Sequence, residues 1–221
     1  MNQSGRARLR TAVLLVVTSC IIAIVMSKLI NQHVAFPVLT TGTSMTPSIQ
    51  PDTHLWIIRY SSINKFLIGA TKPEVGDVVA LRSSDNSPIS IKRILALPGD
   101  TVRMNRDRIT VSNVNQTLID NFMPDGLDVN PVWKNSIALP LRGSSMSTNS
   151  EEWYNIESVV SDYEDIKVEY ISGQTFIDSN KCNMYKFKND YYAVIGDNLP
   201  MSTDSRVQGM IPHRYIIGFV K

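Results

Sequence analysis

The alternation of apolar and polar positions divides the chain into regions of different character. Residues 11–27, "TAVLLVVTSCIIAIVMS", carry no charge. With Leu29 and Ile30 added, and Lys28 extending its amine toward water, the apolar stretch reaches the roughly 20 residues that span a bilayer core. After Pro37 the pattern changes to short runs rich in β-branched and aromatic residues. These are "HLWII" (54–58), "GDVVAL" (76–81), "ISIKRILAL" (89–97), "DRITV" (107–111), "YYAVIG" (191–196) and "YIIGFV" (215–220). Pro, Gly, Asn, Asp and Ser bound most of them, which predicts strands ended by turns. Between the fourth and fifth runs the strand pattern lapses. There Trp153, Ile156, Val160 and Tyr163 recur at helical spacing in "EEWYNIESVVSDYEDI", with Asn149 and Ser150 as possible caps.

This pattern predicts a mostly β fold. Antiparallel sheets folded on each other are expected to form a core with an inserted second domain, preceded by one N-terminal transmembrane helix. No βαβ alternation and no internal repeat is present. The expected divisions are a cytoplasmic tail (1–10), an anchor (11–30), a first part of the core (31–111), an insertion (112–185) and a second part of the core (186–221). Arg6, Arg8 and Arg10 precede the apolar segment, and only Lys28 follows it closely. The excess of positive charge on the cytoplasmic side places the N-terminus inside and everything after about residue 31 outside, on the periplasmic face of the inner membrane. A cleaved signal peptide would have a shorter apolar core and a small-x-small exit, whereas the exit here is "SKLINQHVAF". The "VTSC" at 17–20 ends on a cysteine as a lipoprotein signal does, but "IIAIVM" continues the apolar run beyond it.

Composition narrows the function classes. Apolar residues make up 43% of the 221, enough for a sizeable core, and the formal charge of +2 is too small to argue for nucleic acid. Cys20 falls in the apolar segment, so it is not expected to pair with Cys182. No CxxC or HxxxH spacing occurs, and neither a metal nor a cofactor is expected.

The candidate chemistry begins at "TTGTSMTPSIQPD" (40–52), where Ser44 stands in a tight, Gly- and Pro-bearing bend just past the anchor. A serine hydroxyl is a poor nucleophile until a base takes its proton. His33, His54 and His213 are available, but none stands in a triad setting, and their surroundings fit surface or half-buried histidines. Lysine is the other option. Its ordinary pKa of about 10.4 leaves almost none of it neutral near pH 7, unless burial lowers that value. Lys92 lies between Ile91 and Ile94 in a strand-like run. In a regular strand it shares a face with Ser90 and Ile94, and Arg93 faces the other way. Strand pattern alone favours a solvated lysine on a sheet face.

Three ordered stretches change that balance. "GTSMTPSI" (42–49), "GDVVAL" with "IKRILALPGDTV" (91–102), and "GDNLPMSTDSRVQGMIPHRYIIG" (196–218) resemble the boxes of the type I signal peptidase (leader peptidase) family, and they follow an N-terminal anchor as they do there. The resemblance implies a membrane-anchored serine endopeptidase that removes signal peptides from exported preproteins, with Ser44 as nucleophile and Lys92 as general base. Ser202 matches the serine that orients the lysine, and Asp204 and Arg206 match a supporting ion pair. The implied partners are preproteins, the lipid bilayer and, in specialised relatives that mature pilins, a secretion or conjugation machinery.

Departures from the family pattern are also visible. Ser48 stands where threonine is common. Gly42 stands where some members carry a hydroxyl that helps bind the oxyanion. Leu199, Pro200 and Met201 replace Arg-Asp-Asn, which suggests an altered rim and a specialised substrate. An inactive anchored assembly component has no need of both Ser44 and Lys92, and a self-cleaving repressor would carry a DNA-binding head in place of an anchor. Ser44 lies sixteen residues after Lys28. Even fully extended, that length reaches only about 55 Å, so the nucleophile is held near the bilayer surface, where a signal peptide's cleavage site emerges.

Overall fold

A computed structural model describes residues 3–61, 64–66, 69, 72–82, 88–104, 108–122 and 136–220. Met1 and Asn2 of the expected tail, Asp107 of the fourth strand-like run, residues 123–135 of the expected insertion and Lys221 lie outside the described residues.

Helix α1 (Gln3–His33) contains the uncharged stretch. Its segment Arg10–His33 is long and apolar enough to cross a membrane, and among the described residues nothing covers it: Val13, Leu15, Ile22 and Ile24 are all exposed. A helix that is apolar on every side satisfies its backbone internally and finds a matching solvent in lipid. The last carbonyls of a helix lack intrahelical donors, and here the β domain supplies them. Arg59 Nε donates to Asn31 O (3.0 Å) and Ser61 Oγ to His33 O (2.7 Å), and just beyond the helix Asn64 Nδ2 donates to Val34 O (2.8 Å). The sheet therefore begins at the helix end.

The first strands are β1 (Ala35–Leu39), β2 (His54–Arg59), β3 (Val78–Leu81) and β4 (Ser90–Ala96). A middle series follows: β5 (Thr101–Met104), β6 (Ile109–Val111), α2 (Gln116–Phe122), β7 (Ser136–Ala138), β8 (Ser145–Ser147), α3 (Glu151–Glu164), β9 (Val168–Ile171), β10 (Gln174–Ile177), β11 (Asn180–Lys181) and β12 (Met184–Lys186). The chain then closes with β13 (Tyr191–Ile195), the short helix α4 (Ser205–Gln208), β14 (Ile211–Pro212) and β15 (Ile216–Val220). The outer two groups build one seven-stranded sheet in the order β1-β2-β15-β3-β4-β13-β14. Every pairing in it is antiparallel, and the middle series forms three smaller antiparallel sheets. The fold is mostly antiparallel β, as the spacing of the strand-like runs predicts.

Five of the six strand-like runs fall on strands of the large sheet, with Tyr215 of "YIIGFV" lying in the turn before β15, and the last three residues of the sixth, "DRITV", form β6. The chain pattern does not mark β1, because Pro37 interrupts it. Proline cannot donate to a ladder and is tolerated at an edge, and β1 is the edge strand, with Pro37 opposite Trp56. Helix α3 forms where the 3.6-residue period predicts. Of the two possible caps Ser150 is used, its Oγ accepting from Trp153 N at 3.2 Å, and Trp153, Ile156 and Val160 are buried.

Successive residues of β4 enter different parts of the core. Ile91 packs with Met45, Ile57 and Ala80, Ile94 with Val79 and Val194, and Leu95 with Ala193, Ile195 and the middle-series residues Trp153 and Ile156. The middle series is tied to the sheet through the buried Glu164 carboxylate, which accepts from Tyr185 Oη (2.6 Å) and Tyr191 Oη (3.0 Å). A strand packed on both sides leaves little room for a solvated side chain, and this decides the surroundings of Lys92.

Candidate active site

Between β1 and β2 the chain makes a loop closed at its base by Thr40. Thr40 N donates to Thr53 O (3.0 Å), and Asp52 N to Thr40 O (2.7 Å). At the tip, Ile49 N donates to Met45 O (2.8 Å), forming a single helical turn, and the peptide joining Thr46 to Pro47 is cis. Met45 is buried against Ile57, Ala80 and Ile91. Burying an apolar side chain of this size stabilises by about 1.5–3 kcal/mol. It pins the turn to the sheet and leaves the neighbouring Ser44 part-exposed.

Lys92, opposite Val79 in the β3–β4 register, is 6% exposed. Its Nζ donates to Ser44 Oγ at 3.1 Å and to Ile91 O at 3.2 Å. Burial pushes the Lys92 pKa below the ordinary lysine value; the Asp204 carboxylate opposes this and the Arg206 guanidinium adds to it. Because those two charges are paired with each other, their pulls on Lys92 offset and desolvation dominates. Arg93 turns elsewhere, with its guanidinium forked on Asp197 (2.8 and 2.5 Å) and donating to Gly76 O (2.7 Å).

The segment after β13 brings the other candidates in. Gly196 lies where no side chain fits: a Cβ there would fall 2.2 Å from Ser202 Oγ and 2.6 Å from Ser44 O. Asp204 caps α4 and accepts from Gly196 N (3.0 Å) and from Arg206 Nε (2.8 Å) and Nη2 (2.9 Å). Arg206 Nη2 also donates to Leu199 O (2.7 Å) and Ser202 O (3.2 Å), so the ion pair holds the whole 196–206 excursion in shape. The Ser202 hydroxyl is buried with no hydrogen-bond partner among the described residues. The bonds that orient Lys92 go to Ser44 and Ile91.

Sequence reasoning assigned no role to Asp197 or Asn198. Asp197 holds Arg93 next to Lys92, and Asn198 bonds to the turn on both sides of Ser44. The signal was present in "GDN", but nothing local distinguishes it from an ordinary polar turn. None of the histidines takes part. His33 ends α1, His54 is exposed on β2, and His213 stacks on Tyr192 with ring centroids 5.6 Å apart.

Ser44 and Lys92 open on a groove of about 440 Å³, walled by residues 37–42 on one side and 88–91 on the other, with Met45 and Ile49 also lining it. The family profile described as "Signal peptidase, peptidase S26" matches residues 10–221. The chain belongs to this signal peptidase family. It is 24% identical over 218 residues to the signal peptidase I of Buchnera aphidicola subsp. Baizongia pistaciae, covering 87% of this chain and 70% of that one. It is 32% identical over 96 residues to the signal peptidase I of Bacillus licheniformis, covering 43% of this chain and 48% of that one. The chain thus spans about half the length of the Bacillus relative. A signal peptidase I crystal structure from Enterococcus faecalis V583 aligns with 68% of this chain and 98% of its own, at 20% identity and a TM-score of 0.32. As a member of the family the chain is a signal peptidase, and the apolar helix ahead of its β fold is consistent with membrane anchoring.

Proposed function

We propose that the chain removes signal peptides from exported preproteins as a membrane-anchored serine endopeptidase, with Ser44 as nucleophile and Lys92 as general base. The observation that carries this reading is the 3.1 Å contact between Lys92 Nζ and Ser44 Oγ on a lysine that is almost wholly buried. Neutral Lys92 accepts the Ser44 proton as Oγ bonds to the scissile carbonyl carbon. The resulting ammonium returns a proton to the departing amine as the C–N bond breaks, leaving the acyl group on Ser44. The departing amine is the mature protein's new N-terminus; Lys92, neutral again, takes a proton from water as the water oxygen bonds to the acyl carbon, and returns it to Ser44 Oγ as the ester bond breaks and the signal peptide leaves. The Ser44 N–H donates to no acceptor among the described residues and is free to bind the oxyanion. Gly42 brings no hydroxyl to help it.

Asp204 and Arg206 are read as the supporting ion pair, and Ser202 as a further orienting partner for Lys92 once substrate is bound, its buried hydroxyl having no hydrogen-bond partner among the described residues. Residues 1–10 are assigned to the cytoplasm and the β domain to the outer face, with residues 112–185 as an insertion into the catalytic core. The groove beside β1 receives the stretch of substrate before the cut. Its limited volume favours small side chains one and three residues before the scissile bond.

The test uses detergent-solubilised enzyme, a signal-bearing preprotein and N-terminal sequencing of the product. One new N-terminus immediately after a small residue is expected. Substrates carrying leucine or phenylalanine at either position are expected to be cut at least tenfold more slowly, roughly the effect of misfitting one or two methylenes in a tight pocket. Equal cleavage across the series would contradict the assignment.

A further inference from the structure

One residue far away in sequence holds the Ser44 turn from both sides. Asn198 N–H donates to Ser44 O at 3.0 Å, and its Nδ2 donates to Thr43 O at 3.0 Å and to Thr46 Oγ1 at 2.8 Å. The Thr46 hydroxyl in turn donates to Thr43 O at 2.8 Å, and Thr46 N–H reaches the same oxygen at 3.2 Å. Asn198 stands at the N-cap of the 3-10 turn Leu199–Met201, yet its side chain makes no bond to that turn. The side chain is used entirely across the chain.

The peptide bond joining Thr43 to Ser44 is trans. In a planar trans peptide the C=O and the N–H point in opposite directions. Whatever holds Thr43 O therefore sets the direction of the Ser44 N–H, which is free of any acceptor among the described residues. We infer that Asn198 is a positioning residue for catalysis: through Thr43 O and Thr46 Oγ1 it fixes the peptide plane that aims the Ser44 N–H at the oxyanion. The inference rests on the reading of Ser44 as nucleophile. With glycine at position 42, this N–H lacks the helper hydroxyl that some relatives carry, so its alignment matters more. Removing one oxyanion donor costs about 10²–10³ in kcat, and a misaimed donor approaches that loss.

The test measures kcat and KM on a peptide substrate, together with the affinity of a peptide aldehyde ending in a small residue, using the full chain in detergent. Ser44 Oγ bonds to the aldehyde carbon, the carbonyl electron pair moves to oxygen, and the serine proton passes to Lys92, so the adduct places an oxyanion where the intermediate has one. Asn198→Ala is expected to lower kcat about 10²-fold with KM within about threefold. It is expected to weaken the aldehyde by a similar factor and to leave the acid limb of the pH profile in place, since Lys92 is untouched. Thr46→Val is expected to lower kcat less, Thr46→Ser to recover most of that loss, and Thr46→Val to cost less in the Asn198→Ala background than alone, because the bond the two residues share is already gone and only the Thr46 Oγ1 bond to Thr43 O is left to lose.

A kcat within threefold of wild type for Asn198→Ala, a loss confined to KM, or a loss of kcat with unchanged aldehyde affinity would each overturn the inference. If Asn198→Ala does not fold, the Thr46 pair decides, and equal rates for Thr46→Val and Thr46→Ser overturn it. Ser44→Ala separates the two levels. A fully active Ser44→Ala removes the nucleophile assignment and this inference with it, whereas an inert Ser44→Ala beside a fully active Asn198→Ala removes only the role of Asn198.

Discussion

Lys92→Arg is expected to fold normally and to lose cleavage by about 10²–10⁴-fold, the range that a positioned general base contributes. Arginine keeps the charge and can still donate to Ser44 Oγ. Were Lys92 present only to hold a charge beside the Asp204 and Arg206 pair, the substitution would be tolerated. A guanidinium does not release its proton at any useful pH, so it cannot take one from Ser44. Lys92→Met keeps much of the volume without the amine and is expected to fail to the same degree.

The sign of the pH dependence follows from the environment. Burial lowers the Lys92 pKa, with Asp204 opposing and Arg206 assisting. Below that lowered pKa the amine is protonated and inactive, and above it the amine is neutral and able to accept a proton. The wild-type rate is therefore expected to rise with pH along an acid limb that lies below the ordinary lysine value, and substitution of His54 or His213 is expected to leave that limb unchanged. The His213 pKa is itself lowered, chiefly by burial, and the ring packs against Tyr192 and does not line the groove. Substantial cleavage by a folded Lys92→Arg enzyme, or an acid limb that vanishes with a histidine, would reject Lys92 as the base.

The second large effect is on stability. The Asp204 side chain is 0% exposed and that of Arg206 10% exposed, and the two meet at 2.8 Å. Asp204→Ala leaves a nearly buried guanidinium without its counter-charge, removes the acceptor of Gly196 N and uncaps α4. Breaking a buried pair from one side costs about 3–5 kcal/mol. Unfolding of the solubilised protein in denaturant should show that loss. Asp204→Ala combined with Arg206→Met should recover part of it, because the double variant leaves neither charge stranded. A single variant within about 1 kcal/mol of wild type would mean that the pair does not hold the 196–206 segment.

The predictions rest on features that the sequence carries to different degrees. The long apolar helix α1 is legible because an uncharged stretch of that length is a local property of the chain. Strands β2, β3, β4, β13 and β15 are legible because short runs of β-branched and aromatic residues and the turn residues that flank them are local properties. Ser44, Lys92, Asp204 and Arg206 are legible only through the order of three boxes, since each box alone reads as a turn or a strand. Strand β1 is not legible, because the tolerance of Pro37 depends on its being at a sheet edge.

What the chain determined by itself is therefore its local periodicity, its one apolar span and the set of residue types from which a site can be made. The tertiary structure alone decided that Lys92 is buried and not solvated, because that depends on β3, β13 and the Ser44 turn packing around β4. It also decided which donors reach Ser44 and its turn. Ser44 meets Lys92 across 48 positions, and Thr43 meets Asn198 across 155. Contacts at such separations form only when chain closure and the burial of distant side chains act together. No short stretch of sequence encodes them, because a polar turn such as "GDN" has the same local preferences whether its amide faces water or holds the Ser44 turn in place.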